Sequence, residues 1–180
     1  MTRFSWFMTT YFSALAIGAL AFFHPAPKLI WNATASTPVG LYAVRSNGDL
    51  QLGDLVLVMP PEPVANFLSD GGYLPKGVPL LKHVAALPGQ RICRFGRIVT
   101  IDGLVMATAR DRDSRGRDLP VWSGCHVVGE TEIFLLNPEV SDSLDGRYFG
   151  PLPAASIIGR AAPLWTNDVR DSPKPRPSDN

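Results

Sequence analysis

Apolar residues are distributed along this chain as one long run followed by many short ones. From Trp6 to Phe23, WFMTTYFSALAIGALAFF holds no charged residue in 18 positions, which just reaches the length at which a helix spans a hydrocarbon core. Beyond it the runs shrink to four to six residues bounded by Gly, Pro, Asn and Asp, the pattern of short strands joined by turns. VGLYAV (Val39–Val44) reads as a strand, LVLVM (Leu55–Met59) as a buried strand ended by Pro60, Pro61 and Pro63, and EIFLLN (Glu132–Asn137) as another buried strand. Residues Val64–Val78 read as an inserted excursion with at most one short helical turn before Gly71 and Gly72. In PLLKHVAALPG (Pro79–Gly89), strand alternation places Leu80, Lys82 and Val84 on one face. RICRFGRIVTIDGLVMATA carries a strand signal split at Asp102-Gly103, the dipeptide of a two-residue hairpin turn. RDRDSRGRD (Arg110–Asp118) reads as a solvated mixed-charge loop without special role, and the polar, Pro-rich segment from Thr166 as a disordered tail.

This layout predicts a mainly β body of small antiparallel sheets over residues 31–165. It is preceded in residues 1–30 by a cytoplasmic tip, a membrane helix (about 6–23) and a connector, and followed by a tail over 166–180. The long apolar run has two readings, a cleaved secretory signal or an uncleaved anchor, and both export the body. A signal cleavage site follows its apolar run closely. The small-x-small stretch Ala33-Thr34-Ala35 ends 12 residues past Phe23, beyond Pro25 and Pro27, so the spacing favours an anchor. Arg3 before the run keeps the N-terminus cytoplasmic, and Lys28 on the far side weakens that bias.

Charge and cysteine content narrow the possibilities. With 17 Lys+Arg against 16 Asp+Glu, the net charge is +1 and neither sign forms a long block, which argues against a nucleic-acid surface. Cys93 and Cys125 in an exported body are most simply a disulfide, contributing about 3–4 kcal/mol in the chain-entropy model; two buried free thiols are the alternative. There is no CxxC, and His24, His83 and His126 are scattered, so neither a zinc-type ligand set nor a cofactor is expected.

Three separated segments carry candidate chemistry. Ser36 lies in NATASTPVGLY, where Pro38 and Gly40 hold it on a tight turn. Lys82 lies on an apolar strand face, where desolvation lowers a lysine's affinity for its proton. A free amine there can deprotonate a serine hydroxyl without any histidine. In SDSLDGRYFG (Ser141–Gly150), Asp145 and Arg147 can pair to fix the loop, and Ser143 can orient the lysine amine.

In order and spacing, SxPxGLY at Ser36, GDLV at Gly53–Val56, LLKHVAALPG around Lys82 and DGRYFG at Asp145–Gly150 resemble the boxes of the signal peptidase I clan of Ser/Lys proteases. NxTxSxPxGLY and the ending RYFGPLP...IIGRAAPLW are most similar to its TraF conjugal-transfer peptidases. The chain departs from the usual boxes at His83, where arginine is common, and at Pro88–Gln90, where PGD is frequent.

The resemblance implies a signal-peptidase-like partial barrel. It makes Ser36 the nucleophile, Lys82 the general base, and Thr34 with the Ser36 N–H the oxyanion donors. Ser143 matches the lysine-orienting serine, Arg147 the loop brace, and Asp145 its partner, which in the TraF branch matters for activity. The implied function is a single-pass inner-membrane serine endopeptidase, its catalytic domain in the periplasm, that processes and can cyclise a pilin precursor for conjugative transfer. Its partners would be the pilin, the membrane and the conjugation machinery, with no direct nucleic-acid binding. A general type I signal peptidase and a non-catalytic periplasmic assembly factor are the alternatives.

Overall fold

The short apolar runs do become strands, and their pairing explains why some alternate and others do not. The computed structural model describes residues 3–22 and 28–167. The connector at 23–27 and the tail beyond 167 lie outside the described residues. In chain order the elements are α1 (Arg3–Phe22), β1 (Leu29–Asn32), β2 (Gly40–Arg45), β3 (Leu55–Val58), α2 (Glu62–Asp70), β4 (Leu80–Ala86), β5 (Arg91–Phe95), β6 (Ile98–Ile101), β7 (Leu104–Thr108), β8 (Gly124–Val127), β9 (Glu132–Leu136), α3 (Gly146–Phe149), β10 (Leu152–Pro153) and β11 (Ile157–Thr166). A seven-stranded sheet runs β1-β2-β11-β3-β4-β9-β10 and a four-stranded sheet runs β7-β6-β5-β8. Every strand pair is antiparallel.

Strand β3 and residues 133–136 of β9 in the larger sheet are continuously apolar because both their faces are covered. On β3, Val56 and Val58 pack with Val84, Ile133 and Leu135, while Leu57 packs on the opposite face with Tyr42, Leu81 and Ala161. On β9, Ile133 and Leu135 join the first group, and Phe134 and Leu136 pack with Ile92, Val99 and Ile101 of the smaller sheet. β9 thus links the two sheets, and each of its buried side chains contributes roughly 1.5–3 kcal/mol.

Hairpins order the smaller sheet. Asp102 and Gly103 both adopt positive φ, 49° and 83°, the geometry of the turn that matches strand twist. A second turn at Gly96 (φ 58°) and Arg97 divides what the sequence pattern shows as one strand into β5 and β6. Cys93 and Cys125 stand opposite each other on β5 and β8 and are joined in a disulfide, which ties the largely exposed edge strand β8 to the sheet.

Three expectations require correction. α1 is helical over 20 residues, but among the described residues no helix is long and apolar enough to cross a membrane, so the expected transmembrane helix is not supported. Its run lacks charge without being uniformly apolar: Thr9 and Thr10 hydroxyls bond back to the carbonyls of Ser5 and Trp6, and Ser13 and Tyr11 add further polar groups. The excursion forms a nine-residue helix, α2, instead of one turn. Prolines 61 and 63, which end the strand signal, also start this helix, since the first helical turn does not need their missing N–H groups; Leu68 is its buried anchor. Arg110–Asp118 is fastened to the body: Asp113 accepts from the Tyr73 hydroxyl at 2.6 Å, and the Arg117 guanidinium lies 4.4 Å over the Tyr73 ring.

Candidate active site

The turn carrying Ser36 is built around one amide. Asn32 closes β1 and is 6% exposed. Its Nδ2 donates to the carbonyls of Thr34, Thr37 and Pro38 at 3.0, 3.0 and 3.2 Å, and its Oδ1 accepts from the Thr34 N–H at 3.1 Å and the Thr34 hydroxyl at 2.7 Å. Residues 33–38 wrap around this side chain, and the Tyr42 hydroxyl fixes the far end by donating to the Pro38 carbonyl at 2.6 Å. Gly40 is required where the chain leaves the turn, because a Cβ there would collide with the Trp165 carbonyl of β11.

Ser36 Oγ lies 3.3 Å from Thr34 Oγ1. An amide oxygen only accepts, so the single hydrogen of the Thr34 hydroxyl points at Asn32 Oδ1. Ser36 is therefore the donor toward Thr34 in this arrangement. The Ser36 N–H bonds to no other described residue, whereas the Ser36 carbonyl accepts from Asn137 Nδ2 at 2.6 Å.

Lys82 lies in β4, 3% exposed, and its Nζ donates to Ser143 Oγ at 2.7 Å. Its pKa is pushed down to about 8, chiefly by burial; the Asp145 carboxylate opposes that shift and the Arg147 guanidinium reinforces it. Ser143 is itself held by its N–H on the Val140 carbonyl at 3.2 Å. Lys82 and Ser36 face the same cavity of about 430 Å³ but make no hydrogen bond to each other.

Behind them sits a buried polar frame. Asp145 caps α3, and its carboxylate takes Arg147 Nε at 2.8 Å and Nη2 at 3.0 Å, together with the Asn137 N–H at 3.0 Å. Both side chains are almost fully buried, 1% exposed for Arg147 and 0% for Asp145. Arg147 also donates to the carbonyls of Asn137 and Ser141, at 2.8 and 3.2 Å. Asn137 connects this frame to the site: its Nδ2 reaches the carbonyls of Ser36 and Leu81, and its Oδ1 accepts from the His83 N–H at 3.2 Å. Asp145 thus lies one layer behind Lys82 and hydrogen-bonds to neither Lys82 nor Ser36.

Ser36, Thr34, Lys82 and Ser143 are brought together around one cavity, with Asp145 and Arg147 beneath it. Asn32 and Asn137 were not singled out from the sequence. Each closes a short apolar run, LIWN and EIFLLN, and that position, common to many turn asparagines, is the only local signal either carries.

Comparisons with known proteins identify the family. The family model described as signal peptidase, peptidase S26, matches residues 1–165. A conjugal transfer protein TraF of Agrobacterium fabrum strain C58 is 40% identical over 149 residues, covering 76% of this chain and 82% of that protein. A probable conjugal transfer protein TraF of Sinorhizobium fredii strain NBRC 101917 / NGR234 is 38% identical over 146 residues, covering 75% and 76%. A solved signal peptidase I of Enterococcus faecalis V583 overlaps 64% of this chain and 98% of its own length at 20% identity, with a TM-score of 0.39. By the family match and the extent of the two conjugal relatives, this chain belongs to the signal peptidase family, peptidase S26, and within it to the TraF conjugal transfer group.

Proposed function

We propose that the chain is a serine endopeptidase with a Ser36/Lys82 dyad, acting on a pilin precursor of a conjugation system. One observation carries this reading: a buried lysine of lowered proton affinity, held by a serine hydroxyl, opens onto the same cavity as a serine on a rigid turn. Ser36 Oγ attacks the scissile carbonyl as its proton passes to Lys82 Nζ. The developing oxyanion meets the Ser36 N–H and the Thr34 hydroxyl, which swings off Asn32. The Lys82 ammonium then protonates the leaving amine, and an acyl ester remains on Ser36. Water releases the processed chain; the amino terminus of the same chain, reaching the ester instead, closes a ring. Strand β1, the edge of the sheet among the described residues, supplies backbone groups with which an extended substrate can pair. Ile30, Leu68, Leu74, Val78 and Leu80 give the cavity an apolar lining. Residues 31–165 form the peptidase domain, placed in the periplasm at the inner membrane; the disulfide fits that oxidising side. The decisive experiment is the intact mass of the candidate pilin made in cells with and without the full chain. Identical masses in both would leave the assembly-factor role in its place.

Two further outcomes are expected in vitro. Lys82 must be unprotonated to act, so activity is present above its folded pKa of about 8 and lost as pH falls through it. At pH 7 about one molecule in ten carries the free amine, and initial rates measured from about pH 6 to about pH 9 should fall roughly tenfold per unit below the midpoint. A flat profile would remove Lys82 as the base. Thr34→Val is expected to lower kcat by roughly 10²–10³-fold with little change in KM, the size expected for a lost oxyanion donor, and Thr34→Ser to restore most of it. Equal losses in both variants would mean that Thr34 only shapes the turn.

A further inference from the structure

Two cavities meet at Ser36, and the chemistry above uses one. The second, of about 420 Å³, lies on the other side of the nucleophile turn. Val39, His83, Asn137, Glu139 and Asn167 are among its walls, and Ala35, Ser36 and Val140 line both cavities. The tetrahedral intermediate on Ser36 carries two peptide segments, the acyl chain and the leaving amine. The Lys82 cavity is bordered by β1, the edge strand among the described residues, which can pair with an extended acyl segment. The segment beyond the scissile bond then has the second cavity for its path. At about 3.3 Å per extended residue, its first two residues stay within roughly 7 Å of the nucleophile.

The polar groups of this cavity are unequally available. Asn137 has spent both Nδ2 hydrogens on the Ser36 and Leu81 carbonyls, and its Oδ1 is taken by the His83 N–H. His83 Nδ1 is 3.0 Å from the Gly53 carbonyl, a group that only accepts. Glu139 is exposed and makes no salt bridge with any described residue. Among the described residues no Lys or Arg lines the cavity to oppose its charge.

We propose that the second cavity binds the substrate segment following the scissile bond, and that Glu139 makes it selective for a basic side chain in the first two positions of that segment. This deepens the assignment of Ser36 as nucleophile and rests on it.

The test uses the full chain and three substrates sharing one acyl half: a peptide with Lys second after the scissile bond, the same peptide with Glu there, and an ester whose leaving group is a small alcohol. The expected result is a two- to fivefold higher kcat/KM for the Lys peptide, about what an exposed ion pair supplies. That preference should fade as salt rises, and Glu139→Lys should reverse it. If Glu139→Lys keeps the wild-type Lys-to-Glu ratio while the ester still acylates Ser36 in the wild-type chain, the specificity proposal is overturned and the peptidase assignment stands. If the wild-type chain neither hydrolyses the ester nor carries an acyl group from it on Ser36 by intact mass, the nucleophile assignment fails and the proposal falls with it.

Discussion

Replacing Lys82 with methionine is expected to lower kcat/KM for peptide cleavage by about 10²–10⁴-fold, the usual worth of a positioned general base, without loss of the fold. Methionine has nearly the length of lysine and no amine to desolvate. Wild-type Lys82 is 3% exposed, and its pKa falls from 10.5 to about 8 on burial. The sign of the stability effect follows. Between about pH 8 and 10.5 the unfolded chain holds the proton that the folded chain has released, so wild-type stability rises with pH across that window. Below it, the folded protein carries a desolvated ammonium. The methionine variant lacks this slope, and near pH 7 its melting temperature should equal or exceed that of the wild type. Ser36→Ala should remove as much activity as Lys82→Met, and the double variant should lose little more, because the two groups act in one step. Retained cleavage in a folded Lys82→Met protein would end the dyad assignment.

That experiment bears on what could be read from residues alone. Ser36, Lys82 and Ser143 were singled out only in combination: a serine beside Pro and Gly turn formers and a hydroxyl in a short polar loop are common features, and it is the amine on an apolar strand between them that makes the three segments point to one chemistry. Asn32 and Asn137 were not, because an asparagine at the end of a strand looks like an ordinary turn residue. Their significance lies in partners that no local pattern shows. Asn137 reaches carbonyls 101 and 56 positions away in sequence. Thr34 was legible as a hydroxyl near the nucleophile, but the direction of its hydrogen depends on Asn32. The β strands emerged from apolar run lengths, yet the turn between β5 and β6 did not, since Gly96-Arg97 lacks the Asn-Gly or Asp-Gly signature. At the N-terminus, counting charges overstated apolarity: hydroxyl and ring polarity in α1 carry weight that a charge-free run conceals.

The other large effect expected is on folding. Arg147→Met should destabilise the protein by about 3–5 kcal/mol, the cost typical of leaving one partner of a buried ion pair uncompensated. The Asp145 carboxylate would lose two of its charged contacts, and the carbonyls of Asn137 and Ser141 would lose their donor. At the 2–4 °C per kcal/mol usual for domains of about this size, the melting temperature falls by roughly 6–20 °C. Pairing it with Asp145→Leu removes the stranded charge, so the double variant should be more stable than Arg147→Met alone, although the Asn137 N–H then loses its acceptor. The comparison also separates two roles for Asp145. A carboxylate that transferred protons would, on change to asparagine, abolish turnover at full stability. A carboxylate that holds the frame would, on the same change, lower the melting temperature, and activity measured well below that temperature would fall only as far as Ser143 and Asn137 are displaced. The geometry favours the second outcome: the carboxylate of Asp145 is 0% exposed, is held by Arg147 and the Asn137 N–H, and has no hydrogen bond to Ser36 or Lys82. Thermal melts read beside single-turnover rates at low temperature decide between them.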